Sequence, residues 1–300
     1  MGGAEGRPRS FDYARAFSRN IGWVTGEEQA RLRTKRVAIA GLGGVGGSHL
    51  LTLARLGVGA FNLAELDRFE LANFNRQAGA TLSNLGRPKL DVLVEMARDI
   101  NPELEIRRIP DGVTPENAEE FLRGADVYVD GLDFFAFQAR TFTFGACARL
   151  RVPATTAAPL GMGVALLNFL PGKMTFEEYF GFEGQPESEQ ALRFLLGLSP
   201  AMLQRSYLAD RSQVNLAEHR GPSTIIACQL CAGVAAAETL KILLGRGPLL
   251  AAPWGLHFDA YRNLCKRTWR PGGYRNPLLG IARVIARRQL GAWERKVSQS

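Results

Sequence analysis

Hydrophobic and polar positions follow two different periods along the first half of the chain. Short continuous apolar runs are typical of strands buried on both faces, and they alternate with longer segments whose apolar positions share one helical face. This alternation predicts an α/β fold, a Rossmann-like and mostly parallel sheet with helices on both faces. Predicted strands are residues 36–40, 61–64, 104–108, 127–129 and 152–156, and predicted helices are residues 45–56, 89–100, 115–123 and 135–150, after short helices within 11–33.

The pattern changes after residue 157 and predicts an irregular or antiparallel C-terminal extension. A further strand is expected at residues 161–169, and residues 174–221 are polar and irregular. The other predicted elements are short helices at 187–196 and 200–207, a long apolar helix at 223–244, a hairpin at 257–269 and an amphipathic helix at 277–293. We expect one continuous domain made of a disordered N-terminus (1–10), a Rossmann-like core (11–170), a crossover or lid segment (171–222) and a C-terminal part (223–300).

Composition places the chain among ordinary globular proteins, with 300 residues, 46% hydrophobic and 22% charged. No apolar run is expected to reach the length of a membrane span, and the polar start lacks the apolar region of a secretory signal. Four cysteines without a framework spacing favour a reducing, cytoplasmic setting. The net charge of +8 is concentrated in residues 261–300, which hold ten Lys and Arg and one acid. Such a tail either binds an anionic partner or forms a solvated helix face.

A glycine-rich motif lies between the first predicted strand and the helix that follows it. Gly41, Gly43 and Gly46 match the pattern G-x-G-x-x-G, and Gly44 occupies one of its variable positions. Glycines permit a tight turn and close backbone approach, and the helix N-terminus offers free N–H groups to phosphate oxygens. The alternative is a tight turn that binds no ligand.

Two carboxylates follow the second strand at the position where an acid usually binds the ribose hydroxyls. Glu65 and Asp67 both lie about 20 residues beyond Gly46. Glu65 is at the strand tip, and Asp67 could equally cap the turn that follows. The sequence does not choose between them.

The next segment carries polar and cationic residues that a dinucleotide site does not need: Asn73, Arg76, Gln77 and Lys89. A triphosphate explains them, because Arg binds phosphate in a bidentate manner and Lys stabilises charge on a leaving group. A solvated surface loop is the alternative. Asp133 is expected at the carboxyl edge of the sheet, where a carboxylate can hold Mg²⁺ beside phosphates. For Asp130, at the end of the strand before Asp133, a helix or turn cap is the preferred interpretation.

These motifs together resemble the ThiF-type adenylyltransferases, the superfamily of sulfur-carrier activators and ubiquitin-activating enzymes. The resemblance rests on GLGGVGG, on N-x-x-R-Q at residues 73–77 and on G-x-P-K at residues 86–89. It covers residues 17–160 well and 223–244 more loosely. The resemblance implies an ATP- and Mg²⁺-dependent enzyme that activates a carboxylate as acyl-AMP and releases pyrophosphate.

The resemblance also assigns roles to individual residues. Gly43 and Gly44 would lie by the α-phosphate, and Glu65 replaces the family's ribose-binding aspartate. The phosphate-binding positions would be Asn73, Arg76 and Lys89, and Asp133 would be the Mg²⁺ and ATP aspartate. Arg19 aligns with an arginine that enters the partner subunit's site, which implies a homodimer.

Two departures from the family limit what the resemblance implies. Related proteins hold structural zinc with two Cys-x-x-Cys pairs, whereas Cys228 and Cys231 form a single pair inside an apolar helix. We therefore expect buried thiols and no zinc. No cysteine lies between Cys147 and Cys228, so transfer of the acyl group to a crossover thiol is not supported.

Some assignments stay open. A nicotinamide-dependent oxidoreductase would share the loop and the ribose acid, and a nucleotide-binding regulatory subunit would share the fold. The carboxylate could belong to a carrier protein, a peptide C-terminus or a small acid, and the basic tail also permits tRNA. His49 either touches phosphate or is packed, and His219 could face the substrate.

Overall fold

The structure is a computed structural model that describes residues 11–215, 219, 221–277 and 280. The expectations for residues 1–10 and for nearly all of the C-terminal helix at 277–293 fall outside these residues. The basic tail is therefore described only as far as residue 280.

An eight-stranded sheet with the order β3-β2-β1-β4-β5-β6-β7-β8 organises the chain. The first five strands pair in parallel, whereas the pairs β5–β6, β6–β7 and β7–β8 are antiparallel. This confirms the mostly parallel, Rossmann-like fold with an antiparallel C-terminal extension. The strands are β1 (Arg36–Ala40), β2 (Ala60–Ala64), β3 (Glu105–Ile109), β4 (Val127–Asp130), β5 (Ala154–Leu160), β6 (Gly163–Phe169), β7 (Trp254–Asp259) and β8 (Leu264–Trp269).

Helices cover both faces of the sheet because its strands alternate between two apolar faces. In β1, Val37 and Ile39 point into a core shared with α3, α4 and α9, whereas Ala38 and Ala40 face a Phe-rich core shared with α5 to α8. The helices are α1 (Tyr13–Ala16), α2 (Gly26–Arg33), α3 (Gly46–Arg55), α4 (Lys89–Ile100), α5 (Ala118–Leu122), α6 (Phe137–Leu150), α7 (Phe176–Phe180), α8 (Glu187–Leu198) and α9 (Ile225–Leu244).

Three predicted elements have different bounds in the structure. The helix expected at 115–123 begins at Ala118, because Thr114 and Asn117 bond to each other in a preceding turn. The helix expected at 200–207 is only a short 3₁₀ turn, Leu203–Ser206. The strand expected to end at 156 continues to Leu160, because β6 pairs with it up to Gly163.

Helix α9 corrects the expectation that no apolar run reaches the length of a membrane span. Within the described part of the chain, it is the one helix long and apolar enough to pass that test. It packs against α3, β5 and β6, and Glu238 near its C-terminal end accepts a hydrogen bond from Asn168 Nδ2 at 2.8 Å. The buried face of this helix is covered by the sheet and by α3, whereas positions such as Gln229 and Gly233 are exposed.

Candidate functional site

The glycine motif forms a tight loop between β1 and α3, held by direct backbone contact. Gly41 adopts a φ of +79°, which favours glycine. A Cβ on Gly46 or on Gly131 would overlap the carbonyl oxygen of Gly41. The loop after β1, the start of α3 and the segment after β4 therefore meet without intervening side chains.

Gly43 and Gly44 face outward from this contact, toward the polar residues predicted from the sequence. A Cβ on Gly43 would lie 3.6 Å from Gln77 Nε2, and a Cβ on Gly44 would lie 3.6 Å from Arg76 Nε. The backbone N–H groups of Gly43 and Gly44 donate no hydrogen bond to any described residue. They are available to an anion at the N-terminus of α3.

Glu65 fastens this loop to the end of β2. Its carboxylate is buried and accepts three backbone hydrogen bonds, from Leu42 N at 2.6 Å and from Leu66 N and Asp67 N at 2.9 Å. A carboxylate has about four lone-pair sites, so one remains for a ribose hydroxyl. Ribose binding by Glu65 stays a prediction. The structure shows in addition that Glu65 holds the glycine loop through its hydrogen bond with Leu42 N.

Asp67 and Lys89 form an ion pair beside the same strand end. Lys89, the first residue of α4, has a side chain only 7% exposed, and its Nζ lies 3.0 Å from Asp67 Oδ2. Asp67 is 57% exposed, so solvent and ligands reach its carboxylate. Lys89, the lysine predicted to bind phosphate, is thus held in place by Asp67, the second of the two carboxylates that were candidates for binding the ribose.

The segment 73–77 places one cation next to the glycine loop. Arg76 Nη1 donates to the carbonyl of Ala72 at 3.1 Å and to Asn75 Oδ1 at 2.9 Å, which are both uncharged acceptors. No carboxylate among the described residues lies within ion-pair distance of its guanidinium. Gln77 Oε1 is buried without a hydrogen-bond partner among the described residues.

Asn73, the first residue of that motif, has a structural role in the fold. It is buried, and its Oδ1 accepts the backbone N–H of Glu70 at 2.9 Å, closing the turn that leads to Arg76. Its contribution to phosphate binding stays a prediction.

Asp133 follows β4 and is exposed, on an otherwise buried or half-buried segment that packs against the loop at Gly41. A Cβ on Gly41 would lie 2.8 Å from the Cα of Leu132, so the two loops are in contact. One carboxylate oxygen of Asp133 accepts the backbone N–H of Phe135 at 3.0 Å. The described residues contain no cluster of three or more His, Cys, Asp or Glu side chains suited to a metal. A single exposed carboxylate does fit Mg²⁺, which is usually held by one or two carboxylates together with phosphates.

Asp130 and Arg140 form a buried pair under this segment. Asp130 accepts the N–H of Leu132 at 3.2 Å, which agrees with the predicted turn cap, and its other oxygen binds Arg140 Nε at 2.9 Å. Sequence reasoning missed Arg140. The available signal was an arginine within an Ala- and Phe-rich helix, ten residues after Asp130.

Arg19 does not reach the site of its own chain. It is exposed on a short turn, Ser18–Asn20, and its side chain makes no hydrogen bond or ion pair with the described residues. Its neighbour Asn20 bonds to the carbonyl of Leu56, at the C-terminal end of α3. The phosphate loop is at the other end of that ten-residue helix, about 15 Å away.

The remaining predictions concern histidines and cysteines. His49 is fully buried rather than exposed to a ligand, so the packed alternative holds. The ring of His219 stacks on that of Phe135 with 4.6 Å between the ring centroids, and its Nε2 lies 3.1 Å from Glu187 Oε1. Because Phe135 is two residues from Asp133, His219 lies near that carboxylate. Cys147, Cys228 and Cys231 are buried as predicted, and burial raises the pKa of each thiol.

His49 gives a pH-dependent stability. Burial lowers its pKa to about 4, and neither ring nitrogen has a partner among the described residues. Between pH 6.5 and 4 the unfolded chain binds a proton that the folded chain does not, so stability falls with falling pH and levels off below 4. We expect His49 to account for a loss of about 3 kcal/mol in the free energy of unfolding.

Urea unfolding at pH 7, 5.5 and 4.5 measures this effect. His49→Leu should flatten that part of the pH dependence, whereas His219→Gln, which removes a half-exposed imidazole, should leave it unchanged. Parallel curves for wild-type protein and His49→Leu would contradict the assignment.

Comparison with known proteins assigns the class. The ThiF family model matches residues 17–277, so the chain belongs to the ThiF family. Three curated relatives illustrate its range. They are the vegetative HesA protein of Trichormus variabilis (36% identical over 146 residues, 49% of this chain and 54% of that protein), a tRNA threonylcarbamoyladenosine dehydratase of Haemophilus influenzae (33% over 138 residues, 46% and 52%) and a sulfur carrier protein ThiS adenylyltransferase of Escherichia coli (34% over 143 residues, 48% and 56%). The chain spans about half the length of these relatives.

Two solved structures share the fold. The crystal structure of PaaA superimposes with a TM-score of 0.65 at 17% identity, covering 90% of this chain and 77% of PaaA. The crystal structure of E. coli MccB with ATP superimposes with a TM-score of 0.60 at 19% identity, covering 81% of this chain and 65% of MccB. At this identity the likeness establishes the fold.

Proposed function

We propose that the protein is an ATP- and Mg²⁺-dependent adenylyltransferase that converts a carboxylate to an acyl-AMP and releases pyrophosphate. The observation that carries this proposal is the position of Arg76. Its guanidinium lies beside Gly44, at the N-terminus of α3, and among the described residues it donates hydrogen bonds to uncharged oxygens. A cation placed there is suited to bind a phosphate group.

The chemistry follows from placement and charge. A carboxylate oxygen attacks the α-phosphorus of ATP, a new P–O bond forms, and the bond to pyrophosphate breaks with its electron pair on the leaving oxygen. The N–H groups of Gly43 and Gly44 would hold the α-phosphate. Arg76 and Lys89 would stabilise negative charge on the phosphorus centre and on pyrophosphate. Mg²⁺ would be held by Asp133 and would neutralise phosphate charge.

The ammonium group of Lys89 is buried, but its pairing with Asp67 offsets the free-energy cost of burying the charge. Asp67 compensates its charge, and the ammonium has three donors, of which the pair with Asp67 uses one. The other donors are available to a phosphate. Loss of Asp67 would leave the ammonium buried and unpaired.

A homodimer would complete the site. Arg19 lies too far from its own phosphate loop and is flanked by Ile21 and Trp23, which are 49% and 85% exposed. Exposed apolar side chains next to a cation that pairs with no acid among the described residues fit a contact with a second copy of this chain. Arg19 would then act in the partner's site. Four free cysteines fit a cytoplasmic location.

The carboxylate would bind on the β5 side of Asp133. Strand β5 runs four residues past Thr156, the partner of Asp130, so its end projects about 13 Å beyond the end of β4. Tyr207, in the predicted crossover segment, holds the turn after β5: its hydroxyl accepts the N–H of Met162 at 2.8 Å and donates to Asp259 at 2.6 Å. This supports the crossover segment as one wall of the pocket.

ATP–pyrophosphate exchange tests the function. Purified protein with Mg-ATP and labelled pyrophosphate is screened against carrier proteins with free C-termini, peptides, small acids and tRNA. We expect exchange that depends on one of these classes. ATP binding without exchange under every condition would favour the regulatory-subunit alternative, and tighter binding of NAD than of ATP would favour the oxidoreductase.

Asp133→Ala should reduce that exchange by about 100-fold or more, because charge stabilisation on the phosphates is lost. The fold should be unaffected, since the side chain is exposed. Asp99→Ala is the matched control, because Asp99 is also exposed but lies at the far end of α4. Equal exchange rates for Asp133→Ala and Asp99→Ala would contradict the assigned role.

A further inference from the structure

An ion pair is buried beneath the segment that carries Asp133. Arg140, on α6, and Asp130, the last residue of β4, each have side chains only 2% exposed, and Nε lies 2.9 Å from Oδ2. Thr156 adds a hydrogen bond to the same oxygen at 2.9 Å. Burying two charges costs more than an apolar pair of the same size would, so the pair is weak evidence for stability in itself.

The rest of the guanidinium holds the backbone of this segment. Arg140 Nη2 donates to the carbonyls of Leu132 at 2.9 Å and of Asp133 at 3.1 Å, and Nη1 donates to the carbonyl of Phe134 at 3.3 Å. Asp130 accepts the N–H of Leu132 from the other side. Three successive peptide carbonyls are thus fixed by one side chain.

A lysine could keep the charge but not this arrangement. The guanidinium presents five donors in a rigid, planar fork, whereas an ammonium is a compact point charge on a flexible stem. With lysine at this position the ion pair to Asp130 can persist while the carbonyls are released. The direction of the exposed Asp133 carboxylate would then no longer be fixed by its backbone.

We propose that Arg140 is a positioning residue that acts through Asp133. It sets the carboxylate against the phosphate loop and so contributes to the Mg²⁺-dependent part of ATP affinity. The inference rests on the proposed function, in which Asp133 holds Mg²⁺ beside ATP. Arg140 itself lies under the segment, and its guanidinium is covered by the ring of Phe194 at 4.5 Å.

Titration calorimetry with ATP, in Mg²⁺ and separately in EDTA, tests this role without any carboxylate substrate. In Arg140→Lys the gain in ATP affinity on adding Mg²⁺ should fall by about tenfold, as for other residues that orient a metal-binding side chain. ATP affinity in EDTA should stay within about twofold of wild type. Asp133→Asn should show the same loss, and the double variant should lose no more than either single variant.

Arg193→Lys is the matched control. Arg193 is also a largely buried arginine that pairs with an acid, Glu189, and donates to the carbonyl of Gly181, but it lies on α8 away from the phosphate loop. In Arg193→Lys, the increase in ATP affinity on adding Mg²⁺ should equal that of the wild-type protein. If Arg140→Lys does not fold, Asp130→Asn with Arg140→Gln removes both charges together and should show the same loss.

The outcomes separate the two proposals. Two results for Arg140→Lys would overturn the positioning role and leave the proposed function standing. One is an increase in ATP affinity on adding Mg²⁺ that equals the wild-type increase, and the other is an equal loss of ATP affinity in Mg²⁺ and in EDTA. Wild-type protein that binds ATP no more tightly with Mg²⁺ overturns the proposed function itself, and the positioning role with it.

Discussion

Gly46→Ala is expected to destabilise the protein by on the order of 4 kcal/mol and to abolish ATP binding. The added Cβ would overlap the carbonyl oxygen of Gly41 and would lie 3.3 Å from the Cα of Gly131. Both neighbours are backbone, so no side-chain rotation relieves the clash. Since folded domains are stable by only about 5–15 kcal/mol, this is a large share of the total. Urea unfolding and calorimetry with ATP measure the two effects.

Gly233→Ala is the control for the substitution itself. Gly233 lies within α9 on its exposed side, and a Cβ there meets nothing within 4 Å. In a helix interior, alanine replaces glycine with a gain of up to about 1 kcal/mol. We therefore expect the free energy of unfolding to fall in Gly46→Ala and to rise in Gly233→Ala. A Gly46→Ala protein as stable as wild type would show that the loop does not need this backbone contact.

Arg76→Ala is expected to weaken ATP binding by about 100-fold with little change in stability. A hydrogen bond to a charged group contributes about 1.5–3 kcal/mol, and a guanidinium can make two such bonds to a phosphate. A loss of about 3 kcal/mol corresponds to two orders of magnitude in affinity. The free energy of unfolding should change by less than about 0.5 kcal/mol, because the bonds of Arg76 to Ala72 and Asn75 are on the surface.

Arg87→Ala separates a specific site from general positive charge. Arg87 lies on the same segment of the chain but pairs with Glu95 on the surface, with the closer contact at 2.6 Å. Its loss should change ATP affinity by less than about threefold, because exposed charges are screened by salt. Equal losses for Arg76→Ala and Arg87→Ala would contradict a binding site centred on Arg76.

The regular part of the fold was predictable because its signal is local. Strand β1 and helix α4 have the predicted bounds, since a continuous apolar run and a 3.6-residue period are read directly from neighbouring residues. The prediction was less accurate where a distant partner decides the outcome. Strand β5 continues to Leu160 because β6 pairs with it, and α9 packs one face against the sheet although its composition would also suit a membrane.

The elements that surround the candidate site were predictable from the sequence, whereas the contacts between their side chains were not. The spacing of Gly41 to Gly46, Arg76, Lys89 and Asp133 identified the elements that meet at one edge of the sheet. The pairing of Lys89 with Asp67, the three N–H groups on Glu65 and the position of Arg19 beyond the far end of α3 are tertiary facts. No periodicity encodes them.

The sequence by itself determined the α/β class, the phosphate loop and the ThiF resemblance, because these depend on residue types at fixed short spacings. Only the tertiary structure decided which side chains are free to act. Asp130 and Asp133 are three residues apart and chemically alike, yet one is buried against Arg140 and the other is exposed beside the loop. Burial and partner choice set what a carboxylate can do, and both arise from residues distant in the chain.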